Sequence, residues 1–243
     1  MVRYPVPSLD VPLTESAIHL WLIDYPELSS DTPLYHLVLN DEEQQRASRY
    51  LIDSLRHRYI ITHGILRSLL AELCDTSPAS LPLTTSSYGK PALVDSDIHF
   101  NLSYTQRYAL IAITRGRPIG VDIEKQRYLK DMNLLAANVF SPAEQQALTG
   151  RPDHARQKAF FDIWVRKEAF VKALGIGLSF PLTEVTVSVD GATRVSSIRD
   201  DPDAAGDWQL HEVPVPTGWS AALAYEGAAA EVHLWSVPRP WPS

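Results

Sequence analysis

A chain of 243 residues with 45% hydrophobic and 21% charged positions has apolar material for one sizeable core or two small ones, which sets intrinsic disorder aside. A net charge of −7 argues against general nucleic-acid binding, which needs clustered positive charge to displace counterions, yet it leaves room for an anionic ligand in a locally positive site. The single cysteine, Cys74, excludes a disulfide framework and a multi-cysteine zinc site and fits a reducing compartment.

In chain order, Met1-Val2-Arg3-Tyr4-Pro5 lacks the basic head and apolar stretch of a secretory signal. No apolar run reaches the roughly 20 residues that span a bilayer, so residence in the cytoplasm and no membrane partner are expected. Bulky residues over 18–23 predict a first strand that Pro26 ends. Asn40 is an N-cap in sequence terms, with Asp41, Glu42 and Glu43 in the first turn of a helix reaching Tyr50. Apolar spacing over 55–73 predicts a second helix. Tyr88-Gly89-Lys90-Pro91 reads as a loop, and 98–103 with 108–114 as a hairpin. Arg115-Gly116-Arg117-Pro118 is the best boundary, dividing the chain into an N-terminal half at 1–115 and a C-terminal half at 116–243. The second half opens with a strand at 119–124. Helices follow from Ser141 and over about 155–174, then strands at 185–189, 209–213, 219–225 and 232–237. The class is α+β. Ile18-His19-Leu20-Trp21 and Val232-His233-Leu234-Trp235 look alike, which points to a duplicated α+β unit.

Two short patterns carry chemistry. Asp122 and Glu124 stand two apart on a strand, so their side chains leave the same face. Two such acids raise each other's pKa unless a cation satisfies them, and a hard divalent ion does so well. Alone, the triplet reads first as a solvated strand edge and decides nothing. Trp164, Glu168 and Lys172 fall at i, i+4 and i+8 of one helix face, where a plain Glu–Lys surface pair is the competing reading.

The segment Gly120-Val121-Asp122-Ile123-Glu124 and, about forty residues on, Trp164-Val165-Arg166-Lys167-Glu168-Ala169-Phe170-Val171-Lys172 resemble the two signature motifs of the phosphopantetheinyl transferase superfamily. Tyr88-Gly89-Lys90-Pro91 and Phe100-Asn101-Leu102-Ser103 resemble coenzyme A-binding segments of its large, Sfp-like members, and Gly175-Ile176-Gly177-Leu178 the stretch after the helix motif. The resemblance implies a pseudo-two-fold monomer of two α+β halves with coenzyme A between them. It implies that Asp122, Glu124 and Glu168 hold Mg²⁺, with Mn²⁺ as an alternative, and that Lys172 contacts the pyrophosphate. Lys90 and Pro91 would lie along the adenine nucleotide, Ser103 and Tyr104 near the phosphates, and Arg46 and Arg58 where basic phosphate contacts fall. Tyr104 stands where the family often has histidine, and Glu43 where some relatives carry lysine, so Glu43 is expected to point away from the nucleotide.

The implied reaction moves 4′-phosphopantetheine from coenzyme A to a serine of an apo acyl or peptidyl carrier protein and releases adenosine 3′,5′-bisphosphate. Asp122, Glu168 and Lys172 are the catalytic candidates, Glu168 as base for the serine proton, directly or through a metal-bound water. Arg166 and Lys167 are expected to help dock an acidic carrier helix. Two rivals stay open: an unrelated Mg²⁺-dependent nuclease or phosphatase using the same acids, and a non-catalytic coenzyme A- or carrier-binding homologue.

Overall fold

The computed structural model describes residues 11–237. Trp241 lies outside the described residues. Bulky alternation makes β1 (Ala17–Asp24) a strand with two apolar faces. After it come short helices α1 (Tyr25–Leu28) and α2 (Thr32–Leu37), then α3 (Asp41–Ser48), which starts where Asn40 and Glu43 form a reciprocal capping box. The first half ends with the 22-residue α4 (Asp53–Cys74), the small hairpin β2 (Leu83–Thr85) and β3 (Pro91–Leu93), and strands β4 (Ile98–Tyr104) and β5 (Tyr108–Arg115).

The second half repeats this order. Strand β6 (Ile119–Lys125) leads to α5 (Met132–Val139), α6 (Pro142–Thr149) and the 22-residue α7 (Asp153–Leu174). A hairpin of β7 (Val185–Val187) and β8 (Val195–Ile198) follows, then β9 (Trp208–Glu212) and β10 (Trp219–Glu226). The sheets run β1-β5-β4 and β6-β10-β9, each with its first strand beside its last, and the final strand β11 (Glu231–Ser236) adds outside β1. The α+β class and the duplication are both present. The likeness of the two segments does not come from that duplication: Ile18, His19, Leu20 and Trp21 pair in parallel with Val232, His233, Leu234 and Trp235. The two look-alike segments are neighbours in one sheet, and the counterpart of β1 in the second half is β6. Strand β11 therefore crosses the boundary drawn at residue 115.

Alternation sorts the side chains into layers. Trp21, Ile23, Ile111 and Ile113 pack with Ile61, Ile65 and Leu69 of α4 in one core. Phe160, Phe161, Ile163 and Phe170 of α7 build a second core with Ala222 and Ala224. Ile18, Leu20, Leu110, Ile119, Val121, Ile123, Leu223 and Tyr225 fill a third, between the sheets. The order is helix, sheet, sheet, helix. Because the odd residues of β6 face the other sheet, its even residues Gly120, Asp122 and Glu124 are left to face α7.

Lys167 and Glu144 show how α7 is fixed. Both are almost fully buried, at 1% and 0% side-chain exposure, and form an ion pair. Lys167 also donates to Val185 O at 2.6 Å, while Glu144 accepts from the backbone N–H groups of Ser141 and Val187. Burial lowers the pKa of Lys167, with Glu144 working in the other direction. Arg166 is also buried, donating to Ser188 O at 2.6 Å. The expected docking role of these two cations thus gives way to a packing role. A buried charge needs its partner, and neither has its charged end free on the surface.

Among the described residues no helix is long and apolar enough to cross a membrane. Gly120 sets how closely β6 lies on α7: a Cβ there would stand 2.1 Å from Ala169 O and 2.3 Å from Ala173 N. Neither backbone atom can give way cheaply. Gly120→Ala is expected to lower stability by at least about 1–3 kcal/mol, the usual cost of overpacking, and to slow turnover by lifting Asp122 off the helix. Urea unfolding and steady-state kinetics check this; wild-type values for both would show that the contact is soft.

Candidate active site

A cleft of about 350 Å³ opens where β4, β6 and α7 meet, lined by Leu102, Ser103 and Tyr104 from the first half and by Asp122, Glu124, Trp164, Glu168 and Lys172 from the second. The fold explains the meeting. Asp122 and Glu124 leave the α7-facing side of β6, and Trp164, Glu168 and Lys172 form one stripe along the helix lying over it. Strand period and helix period converge on one place.

Asp122 is only 5% exposed. Its Oδ1 accepts two hydrogen bonds, from Ser103 Oγ at 2.8 Å and from Lys172 Nζ at 2.6 Å. Its Oδ2 is buried without a partner. A carboxylate oxygen orphaned in this way is costly unless something cationic or protic meets it. Burial, then the charge of Asp122, pushes the pKa of Glu124 up, and the same two causes in the same order raise Glu168. Arg127 offsets part of this at Glu124 from 3.3 Å, and Lys172 at Glu168. Three acids thus share a cleft with one ammonium and one largely exposed guanidinium. Among the described residues no group of three His, Cys, Asp or Glu side chains is arranged to hold a metal ion, so an ion bound here would have to draw the three acids together. The orphaned oxygen and the two acids of raised pKa fit a hard divalent ion, whose oxygen chemistry matches this donor set. Asp122, Glu124 and Glu168 would hold it.

The remaining expected contacts are spread around this cleft. Ser103 gives its proton to Asp122 and accepts the Ile123 N–H at 3.3 Å. Tyr104 lines the cleft and is 48% exposed. Arg58 lies close by, donating to Thr105 O at 3.1 Å and Ser54 O at 2.9 Å. Arg46 stands over the Tyr59 ring, 5.6 Å from its centre, and Tyr59 stacks on His63. Arg58, Arg46, Tyr59 and His63 are not among the residues that line the cleft. Pro91 opens β3. Lys90 turns its ammonium to three carbonyls, Lys172 O at 2.7 Å, Ile119 O at 2.9 Å and Ala173 O at 3.2 Å, and burial lowers its pKa to about 8.

Glu43 points into the protein and not toward the cleft. It caps α3, pairs with the buried Arg67 and approaches His63 at 3.7 Å. Burial raises its pKa, but hydrogen bonds from His63 and Arg67 outweigh this and hold it below the ordinary value. Trp164 stacks on Phe160 and also walls the cleft. Asn101, which the sequence offers only as part of a segment resembling coenzyme A-binding stretches, accepts the Val121 N–H on its Oδ1 at 2.9 Å. An amide set between Phe100 and Leu102 on a strand was the available signal for its backbone role.

Comparison with known proteins bears directly on this cleft. Residues 118–224, which include both signature motifs, match the family model described as the 4′-phosphopantetheinyl transferase superfamily. The chain is 33% identical over 227 residues to 4′-phosphopantetheinyl transferase HetI of Nostoc sp., covering 92% of this chain and 93% of that protein. It is 27% identical over 203 residues to 4′-phosphopantetheinyl transferase Sfp of Bacillus subtilis, covering 83% and 88%. Among solved structures, the holo-[acyl-carrier-protein] synthase of Thermotoga maritima aligns over 45% of this chain and 62% of its own, with 21% identity and a TM-score of 0.36. With 33% identity sustained over 92% of its length, the chain belongs to the 4′-phosphopantetheinyl transferase superfamily and is a transferase of the large, Sfp-like type.

Proposed function

We propose that the cleft between β4, β6 and α7 is where this transferase moves 4′-phosphopantetheine from coenzyme A onto a serine of an apo acyl or peptidyl carrier protein. The observation that carries this is the Asp122 carboxylate. One oxygen is clamped by Ser103 and Lys172 and the other is buried and free, with Glu124 and Glu168 beside it. Mg²⁺, or Mn²⁺ in its place, would supply positive charge to neutralise the coenzyme A pyrophosphate.

The protein's own groups do the rest. Lys172, reaching Asp122 Oδ1 and Val121 O, presents its ammonium to a phosphate entering the cleft. Tyr104 offers a hydroxyl at the rim, and Arg58 and Arg46 supply positive charge on the first-half helices for the nucleotide end. Lys90 and Pro91 set the loop along which the adenine nucleotide would lie. Glu168 takes the proton of the attacking serine hydroxyl, and adenosine 3′,5′-bisphosphate leaves. Positioning and charge complementarity supply most of the rate in such displacements. One chain contributes both walls of the cleft, which supports a monomer as the working unit.

Asp122→Ala and Glu168→Ala are each expected to cut transfer by about 10²-fold or more, the usual range for lost acid–base or charge stabilisation, with the fold kept. Lys172→Ala should weaken coenzyme A binding and slow the reaction. The assay is the mass gain of an apo carrier incubated with coenzyme A and Mg²⁺; wild-type turnover in either acid variant would overturn the assignment.

The raised Glu168 pKa also fixes a pH dependence. The folded, metal-free protein holds a proton on Glu168 more tightly than the unfolded chain, so this group costs stability as pH rises through the unfolded value and up to the folded one. Below both values the cost is absent. Glu168→Gln should therefore be more stable than the metal-free wild type at pH 7, and the gain should shrink to nothing in acid. Denaturant titrations at several pH values measure it; an equal or larger gain in acid would contradict the raised pKa.

A further inference from the structure

Strands β4 and β6 are both sheet edges, since the sheets run β11-β1-β5-β4 and β6-β10-β9. They meet beside the cleft, and β4 takes no place in the backbone ladder of β6, whose strand partner is β10. Side chains take the ladder's place. Along the edge of β6 that faces away from β10, Asn101 Oδ1 accepts the Val121 N–H at 2.9 Å and Ser103 Oγ accepts the Ile123 N–H at 3.3 Å. On the same edge Lys90 donates to Ile119 O at 2.9 Å and Lys172 to Val121 O at 3.3 Å. Buried backbone groups on an edge strand need partners, and here three of the four partners come from the other half of the molecule.

Lys90 does a second thing at the same place. Its ammonium also reaches Lys172 O and Ala173 O, carbonyls of the last turn of α7, and its stem passes 3.2 Å from the position a Cβ would take on Gly175. Gly175 closes the helix in the left-handed conformation, φ 73°. A cation at a helix C-terminus satisfies carbonyls that the helix leaves open. The coenzyme A loop of the first half therefore caps the helix that carries Glu168 and Lys172.

The geometry points to Asn101 and Lys90 as positioning residues: from the first half they hold the Asp122 strand and the Glu168–Lys172 helix in register, so that the acids face one ion. Neither acts on the substrate in this role. Asn101 sits one residue beyond the reach of the cleft and works through the Val121 amide; Lys90 works through α7 and Ile119. The inference rests on the reading of Asp122, Glu124 and Glu168 as the ion site, and the test separates the two.

The probe is Mn²⁺ alone with the full chain, its binding followed by electron paramagnetic resonance without coenzyme A, together with hydrogen exchange at the Val121 amide. Asn101→Leu, which removes the acceptor, should weaken Mn²⁺ binding and lower kcat by about 10- to 100-fold, the range seen when supports of metal ligands are lost. Val121 should exchange faster, and KM for coenzyme A should move far less than kcat. Asn101→Asp keeps an oxygen acceptor and should restore Val121 protection. Lys90→Met should shift Mn²⁺ affinity and kcat in the same direction as Asn101→Leu, and it decides the matter alone if Asn101→Leu does not fold. Wild-type Mn²⁺ affinity in the Leu and Met variants, or a loss confined to KM for coenzyme A, would overturn the positioning role. Failure of the wild type to bind Mn²⁺ would overturn the ion reading, and Val121 exchange would then judge the seam by itself.

Discussion

Unbalanced negative charge in a confined cleft is the constraint from which the rest of this molecule follows. Asp122 is nearly buried and has one oxygen with no partner, and Glu124 and Glu168 stand beside it with raised pKa values. Such a cluster works against the fold that holds it, because burial penalises each charge and each charge penalises the others. It persists because the surrounding layers over-determine it. Two apolar cores, a buried ion pair at Lys167 and Glu144, and a glycine contact at Gly120 together fix β6 and α7. The stability stored in those layers offsets the local cost, and positive charge is what would relieve it.

Duplication supplies the geometry. Each half has the same strand order and a 22-residue helix, yet the two copies have taken different work. In the first half, α4 carries Arg58, and its neighbour α3 carries Arg46; in the second, α7 carries Glu168 and Lys172 facing the acids of β6. Cationic groups on one copy and a charged acid cluster on the other suit a ligand with separated phosphate groups. The same helix position thus carries a guanidinium in one half and an acid with an ammonium in the other.

Much of this was legible in the residues. Period-two alternation in 119–124 and helical spacing from Trp164 to Lys172 put the acids and the lysine on facing surfaces, and the structure brings them to one cleft. The Asn40 cap and the Ser141 start were also readable, because capping chemistry is local. The short elements α1, α2, α5, β2, β3 and β8 were not, since few residues give too little periodicity to register and their form is set by what they pack on. Arg166 and Lys167 misled for a related reason: charge suggests surface, and only the placement of Glu144 and Ser188 shows why these cations are inside. The inward turn of the Lys90 ammonium depends on carbonyls more than eighty residues away in sequence, which no local pattern encodes.

The position of β11 carries a consequence for how the molecule comes into being. Its six residues, Glu231–Ser236, close the outer side of β1, so the sheet of the first half is finished by a strand that leaves the ribosome last among the described residues. Until then the emerging chain displays β1, apolar on both faces, with its hydrogen-bonding edge bare. That is the kind of edge that recruits foreign strands. A fragment ending after β5 would inherit the exposure permanently, which makes the first half a poor unit for separate expression and ties its assembly to completion of the second.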